Sequence, residues 1–539
     1  MYEKPEIFMQ EGWHYELDNA DDDIKYNGVV FNEMKGAFSS PDDVLSRYTF
    51  VSLFPDTVYK NESGGDPEVI PTLKYEDFLK YHEEYYHPSN SYIYIYGDMD
   101  VNERLEYLDR EYLSDFDVSD VDIHANIERQ AAFDKPVYET KPYAITEDES
   151  LEDNTYLSYN AVIGTSVDAK LYLAFQILDY ALVMTPGAPV KQALLDAGIS
   201  TDVYSSYETS LYQPVYSIVA KNSNSKEQDR FVSVINDTLE KLVKDGINER
   251  TIEAGINYYE FKYREADYGP YPKGLMYYLT MIDSWLYDET KPFIHIEAGD
   301  TFDELKKDAR NGYFEKLIKE YLLDNNHKSI ISLVPEYGLE KEKEQKEADK
   351  LAEYKSTLTN DELEELVKKT KELKEYQDTP SSQEDLEKIP MLELSDIKRE
   401  PAKDYNDVKS VDGIKIVHHN IFTNKIAYIN MSFDTKCVPD ELIPYMGLLG
   451  STLSLMDTKN YTYPELTNEI NINCGGLATG TALYSDKVDF SKNTIVYEVK
   501  SKALYEKVPF VLGMMEEIMY NTRFDDYKRL KEIIARIKS

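Results

Sequence analysis

Apolar residues recur along this chain in two rhythms, and the order of those rhythms repeats. "TYLSYNAVIG" (155–164) alternates as a strand and leads into "DAKLYLAFQILDYALVM" (168–184), whose apolar positions follow a helical period. A short helix, "APVKQALLDAG", comes next, then a strand in "PVYSIVAK" and an amphipathic helix in "QDRFVSVINDTLEKLVKDG". Further along, the strand "KIAYINMSFDT" (425–435) is followed by the helix "ELIPYMGLLGSTLSLM", by "YPELTNEININCGG", by the strand "NTIVYEVKS" and by the helix "LYEKVPFVLGMMEEIMYN". The same supersecondary order occurs twice, which is the signature of an internally duplicated module.

The first copy continues through the helix "NERTIEAGINYYEFKYRE" into "FDELKKDARNGYFEKLIKEYLLDNNHKSIISLVPE", read as a long helix feeding a closing strand. The second copy reaches only the matching helix, "DDYKRLKEIIARIKS". The first hundred residues show the converse. "YNGVVFNEMKGAF" (26–38) stands in order where "NERTIEAGINYYEF" does, and "YEDFLKYHEEYYHPSNSYIYIYGDMD" stands where the long helix and closing strand do. There Tyr75, Phe78, Leu79, His82, Tyr85 and Tyr86 form the helical stripe, Pro88 ends it, and Tyr92 to Tyr96 alternate as a strand. Between the copies lies "LEKEKEQKEADKLAEYKSTLTNDELEELVKKTKELKEY" (339–376), dominated by Glu and Lys. Its apolar residues Leu351, Tyr354, Leu358, Leu363, Leu366, Val367 and Leu373 keep helical spacing. It reads as a charged helical hairpin or, alternatively, as a solvated disordered run.

The expected fold class is therefore α+β: repeated modules of an antiparallel sheet packed with helices, the first and last incomplete, joined by the hairpin linker. The expected divisions are 1–130 (the back half of a first module), 131–336 (a full second module), 337–400 (the linker) and 401–539 (a third module cut at its C-terminal end). On this reading the chain is an internal portion of a longer architecture.

Composition narrows the function. Apolar residues make up 42% of 539 residues and aromatic ones 13%, a globular balance. A formal net charge of -42 repels phosphate backbones and anionic lipid, so no nucleic-acid or membrane partner is expected. Cys437 and Cys474 are the only cysteines, too few for a disulfide scaffold or a cysteine-built zinc site. With no signal-peptide pattern at the start and no apolar run of membrane-span length, the expected compartment is the cytoplasm.

One carboxylate stands out. Glu33 lies among Val29, Val30, Phe31, Met34 and Phe38, where the pattern suggests an inward-facing position that demands a partner. It could pair an arginine, cap another helix or bind a metal. Gly36 fits the end of its helix, and Ser40-Pro41 fits the start of the next. The eight histidines, His14, His82, His87, His124, His295, His327, His418 and His419, include no His-x-x-Glu-His or His-Glu-x-x-His pair, so each reads as structural. "ESGGDPEVIP" lacks the Lys-Ser/Thr of a phosphate loop and reads as a turn.

Five consecutive blocks, "EIFMQEGWHYEL", "GVVFNEMKGAFSSPDDVL", "LFPDTVY", "ESGGDPEVIP" and "YYHPSNSYIYIYGDMD", resemble the presequence-protease branch of the insulinase (pitrilysin-type) zinc metallopeptidases. The resemblance implies four related α+β modules enclosing a chamber in which unfolded peptides are degraded. It implies a zinc ion held by two histidines of an inverted His-x-x-Glu-His helix and by a distal glutamate, which corresponds to Glu33. The motif's own glutamate, the general base, has no counterpart here, so no catalytic residue is assigned. The expectation is a metalloendopeptidase-like chain that is inactive as it stands, because the His-x-x-Glu-His helix and the fourth module are missing. A chain supplying that helix is a possible partner. The rival reading is a non-catalytic peptide-binding or partner subunit of a peptidase complex.

Overall fold

The computed structural model describes residues 2–118, 127–400, 403 and 405–538. Two strands, β1 (His14–Glu16) and β2 (Lys25–Asn27), form an antiparallel ribbon. β3 (Val137–Ile145), β4 (Thr155–Val162), β5 (Asp202–Glu208), β6 (Val215–Ser223) and β7 (Lys328–Tyr337) form a five-stranded sheet of order β3-β7-β4-β6-β5. β8 (Asn406–Val411) and β9 (Ile414–His419) make a separate hairpin, and β10 (Ile426–Asp434), β11 (Leu477–Ser485) and β12 (Asn493–Leu504) a sheet of order β10-β12-β11. The chain divides into two compact units: Met1–Asn160, Lys221–Gln228 and Asn326–Pro401 in one, Ala161–Ala220, Asp229–Asn325 and Ala402–Ser539 in the other.

The duplication is visible in the topology. In both copies the first strand is followed by two helices, and its sheet neighbour is the third strand, with the second strand outside it: β4-β6-β5 and β10-β12-β11. The helices Ala169–Asp179 and Pro189–Asp196 of the first copy correspond to Ile443–Thr452 and Tyr463–Asn473 of the second. Gln228–Asp245 corresponds to Val508–Asn521. In the second copy Val499, Leu466, Ile470, Val511, Met514 and Ile518 close one face of the sheet.

The charged segment is a helical hairpin, Leu339–Thr357 and Asn360–Asp378, reversed at Thr359. The Thr359 hydroxyl accepts from the Glu362 backbone N–H while the Glu362 carboxylate accepts from the Thr359 N–H, so two helix-end donors are satisfied reciprocally. Its apolar stripe is buried on the β1–β2 ribbon. Leu351 joins Leu17 and Ile24 in a core to which Tyr15, Tyr26, Tyr354, Leu363 and Val367 add their partly buried side chains. Tyr15 stacks on Tyr354 with centroids 4.6 Å apart. A helix pair with few small residues and many Glu–Lys neighbours is stable here because this single stripe is covered.

Four expectations need correction. The five-stranded sheet is mixed rather than antiparallel, since β3 and β7 pair in parallel. The segment read as one long helix before β7 is broken: Gly299–Asp308 ends, Gly312 turns with φ 71°, and Tyr313–Leu317 starts again. The positive φ is a conformation that glycine adopts without penalty and that a continuing helix excludes. The alternating run Tyr92–Tyr96 joins no sheet among the described residues. Alternation supplies strand propensity, but a strand also needs a neighbour whose N–H and C=O groups match its own. Finally, Ala169–Asp196 is a helical stretch long and apolar enough to cross a membrane by length and composition, which the sequence reading overlooked. Leu171, Ala174, Phe175, Leu178 and Leu182 along it are all buried, so its apolarity serves the core of its unit.

Candidate functional site

The Glu33 helix, Val29–Ala37, is fixed at its start by a close backbone approach. Gly28 has φ 152°, and a Cβ there would meet Trp13 Cα and the Gly12 carbonyl carbon at 2.8 Å, so only glycine fits. The Asn27 side chain organises the same turn. Its Oδ1 accepts from the Gly28 N–H at 2.8 Å and from Asn32 Nδ2 at 2.8 Å, and its Nδ2 donates to Glu16 Oε2 at 2.8 Å. Glu16 in turn is paired with Lys374 at 2.9 Å, whose hydrogen bond holds the Glu16 carboxyl below its usual range. Phe31 anchors the helix at 1% exposure and packs on Tyr26. On the flank, Met34 lies so close to Gly64 that a side chain on Gly64 would displace its sulfur. The "ESGGDPEVIP" segment is thus a turn that braces this helix, with Gly65 at φ 95°.

Glu33 itself is exposed, contrary to the inward position expected. The reason is angular. Residues of an α-helix are ~100° apart, so Glu33 lies about 200° round from the buried Phe31, on the opposite side. Val29, counted as part of the apolar surround, is exposed as well. Glu33 makes no ion pair or hydrogen bond among the described residues, so neither the arginine-pairing nor the capping alternative is realised there. The structure therefore presents a solvent-facing carboxylate on a rigidly seated helix.

The histidines do not converge on it. His14 is buried, with Nδ1 2.7 Å from the Met9 carbonyl oxygen. His82 stacks on Tyr86, and His87 Nδ1 accepts from the Ser89 N–H at 3.1 Å. His295 is buried against the Tyr172 ring with Nε2 2.8 Å from the Ser166 carbonyl oxygen, and burial pushes its imidazole down to about 4. His327 lies 2.8 Å from the Leu53 carbonyl oxygen, and burial lowers it too. His418 and His419 are exposed on β9. His124 lies outside the described residues. Among the described residues no group of three or more His, Cys, Asp or Glu side chains could hold a metal ion. One carboxylate does not make a zinc site, which needs three protein ligands when catalytic and four when structural.

Beside the same helix is a cleft of ≈ 590 Å³, lined by Lys35, Phe38, Arg47, Asp66, Tyr143 and Glu347 among others, and Glu33 is not in its wall. Its charges are mutually satisfied: Lys35 pairs with Glu347 at 3.1 Å, and Arg47 pairs with Asp66 while its guanidinium lies over the Phe38 ring. Sequence reasoning missed the supports of the Glu33 helix. The Asn27-Gly28 dipeptide, a turn signal, was the visible clue to them.

A family model described as Peptidase M16 inactive domain matches residues 72–259, and a second, for the associated domain of the C group of the same peptidases, matches residues 333–539. Protein HypA of Clostridium perfringens is 43% identical over 534 residues, covering 99% of this chain and 55% of that protein. Presequence protease 1, chloroplastic/mitochondrial, of Arabidopsis thaliana is 33% identical over 539 residues, covering 99% of this chain and 50% of that one. The solved structure of pitrilysin is 15% identical, with a TM-score of 0.46, covering 94% of this chain and 51% of the other. The chain spans about half the length of the curated relatives it matches. It belongs to the insulinase, or M16, family of peptidases, on the branch of the presequence proteases.

Proposed function

We propose that this chain is the part of a metalloendopeptidase that carries the distal metal ligand, Glu33, and the peptide-enclosing modules behind it, and that by itself it does not cleave peptides. The observation that supports this reading is the presentation of Glu33: an exposed carboxylate with no partner among the described residues, on a helix held by Gly28, Asn27 and Phe31. An exposed surface carboxylate needs no such seating, whereas a ligand completing a site must be fixed in place before its metal arrives. Zinc would polarise the scissile carbonyl of a peptide once two imidazoles joined Glu33. The substrates proposed are short unfolded peptides, and the compartment proposed is the cytoplasm. The missing donors would come from a His-x-x-Glu-His helix on a partner polypeptide.

The purified chain should leave a quenched fluorogenic peptide intact, with or without added zinc. Cleavage that disappears with a chelator and returns with zinc would overturn the proposal. A second reading, a non-catalytic peptide-binding subunit, draws support from the match of residues 72–259 to a model described as an inactive domain. It is separated by adding a polypeptide that carries the His-x-x-Glu-His helix. Activity that then depends on Glu33 supports the first reading, and activity indifferent to Glu33→Gln supports the second.

A further inference from the structure

The two sheets of the duplicated module differ at one edge. β5 and β11 are edge strands in both copies, but β4 is interior, flanked by β7, whereas β10 has nothing beyond it. In the first copy the strand that precedes β4 in the chain, β3, lies two places away, with β7 inserted between them and parallel to β3. In the second copy the strand that precedes β10, β9, is paired only with β8. β9 and β10 do not pair with each other, so the place β7 takes in the first copy has no strand in the second.

The surfaces at that place are built for pairing. β10, "IAYINMSFD", is nine residues long and carries no proline or lysine and no charge before Asp434, so it lacks the devices by which sheet edges are protected. Its counterpart β4 is buried along nearly its whole length, while β10 is exposed at alternate residues. The β8–β9 hairpin turns tightly at Asp412-Gly413, both with positive φ, and is exposed throughout, with Val408, Ile414, Ile416 and Val417 open. A two-stranded hairpin with no covered face is marginal in water and gains most from another strand.

We propose that the gap between β9 and β10 is a strand-docking slot, and that its occupant is a module strand of the β7 kind. That strand is alternately apolar, runs parallel to β9 as β7 runs to β3, and forms ladders on both sides. The occupant is a structural segment of a peptidase module, not an unfolded substrate peptide. The slot stands independently of whether Glu33 binds a metal.

The test uses the full chain and a synthetic peptide of its own β7, KSIISLVPEY, read by hydrogen exchange with mass spectrometry. At saturating peptide, exchange across 414–434 slows by about tenfold or more, while the β11 edge, 477–485, is unchanged. The same peptide with prolines at its Ile331 and Leu333 positions protects nothing, because two ladder donors are gone. An unrelated unfolded peptide binds at least about tenfold more weakly, equivalent to ~1.4 kcal/mol. Ile416→Lys, at an exposed position on β9, weakens the β7 peptide by a similar factor without moving the thermal midpoint. The slot is overturned by any of three results: no protection of β10, equal protection by the unrelated peptide, or equal protection of β11.

Discussion

Replacing Gly28 by alanine tests the seating of the Glu33 helix, and Gly36→Ala in the same helix is its internal control. At Gly28 the backbone has φ 152° and ψ 152°, a region that only glycine occupies comfortably, at a cost of about 1–3 kcal/mol for any other residue. The added Cβ also meets Trp13 Cα at 2.8 Å, and relieving that contact pulls on the Phe31 N–H···O=C Gly12 bond of 3.3 Å. With one hydrogen bond weakened by ~1 kcal/mol, the total loss is roughly 2–4 kcal/mol. At Gly36 a Cβ meets nothing within 4 Å, so alanine there gains roughly 0.5–1 kcal/mol from its better helix propensity. Trp13 donates to the Leu73 carbonyl at 2.9 Å and sits edge-on to Tyr15 and Tyr26, making it a local reporter. The chain has only 2 tryptophans, so Trp285→Phe leaves Trp13 as the sole indole signal. Urea unfolding followed by that fluorescence should move to lower midpoint for Gly28→Ala and slightly higher for Gly36→Ala. A Gly28→Ala protein within about 0.5 kcal/mol of wild type, or a Gly36→Ala protein as damaged as Gly28→Ala, would refute the account of how this helix is held.

Leu351→Ala removes the hairpin residue packed between Leu17 and Ile24 and should cost about 2–5 kcal/mol in the same Trp13-monitored unfolding; a negligible change would mean the hairpin is not held by this stripe. Glu33→Gln should leave stability within about 0.5 kcal/mol, since the side chain is exposed and has no partner among the described residues; a larger loss would reveal a partner. His295 is held neutral by burial, so the unfolded chain takes up a proton first as pH falls, and stability is lost from its ordinary 6.5 down to about 4, by roughly 3 kcal/mol in all. Neighbouring Asp283, raised by burial, works in the opposite sense, so the readout is the difference between wild type and His295→Gln, which should lose that part of the slope; identical pH profiles would contradict it. The net charge of -42 predicts that basic peptides bind more tightly than acidic ones at low salt and that the preference shrinks as salt is raised; charge-indifferent binding at low salt would sink this.

What the sequence disclosed and what it concealed follow one division. Features whose partner is nearby in the pattern were legible: the hairpin, because its stripe declares one face, and the duplication, because strand and helix order recur before any contact is known. Features set by a distant partner were not. The 91–97 run alternates as well as β4 does, yet joins no sheet among the described residues. The break at Gly312 is a single backbone dihedral inside an otherwise continuous helical period. Glu33 was assigned inward from the apolar residues around it in sequence, but only Phe31 of that helix is buried, and the angle from Phe31 decides the matter. Likewise the role of Gly28 depends on the backbone of Gly12 and Trp13, which no local pattern encodes.

Zinc titration of the full chain against a chromophoric competitor, comparing wild type with Glu33→Gln, addresses the central claim directly. Structural zinc in zinc-finger peptides is held by ~10–16 kcal/mol, nanomolar or tighter, whereas a single oxygen donor should show no saturable binding below about 100 µM. The account predicts weak, matching curves for both proteins until a polypeptide bearing His-x-x-Glu-His is added, after which only wild type binds tightly and with one-to-one stoichiometry. Tight one-to-one binding by the chain alone, or tight binding in the mixture that survives Glu33→Gln, would contradict it.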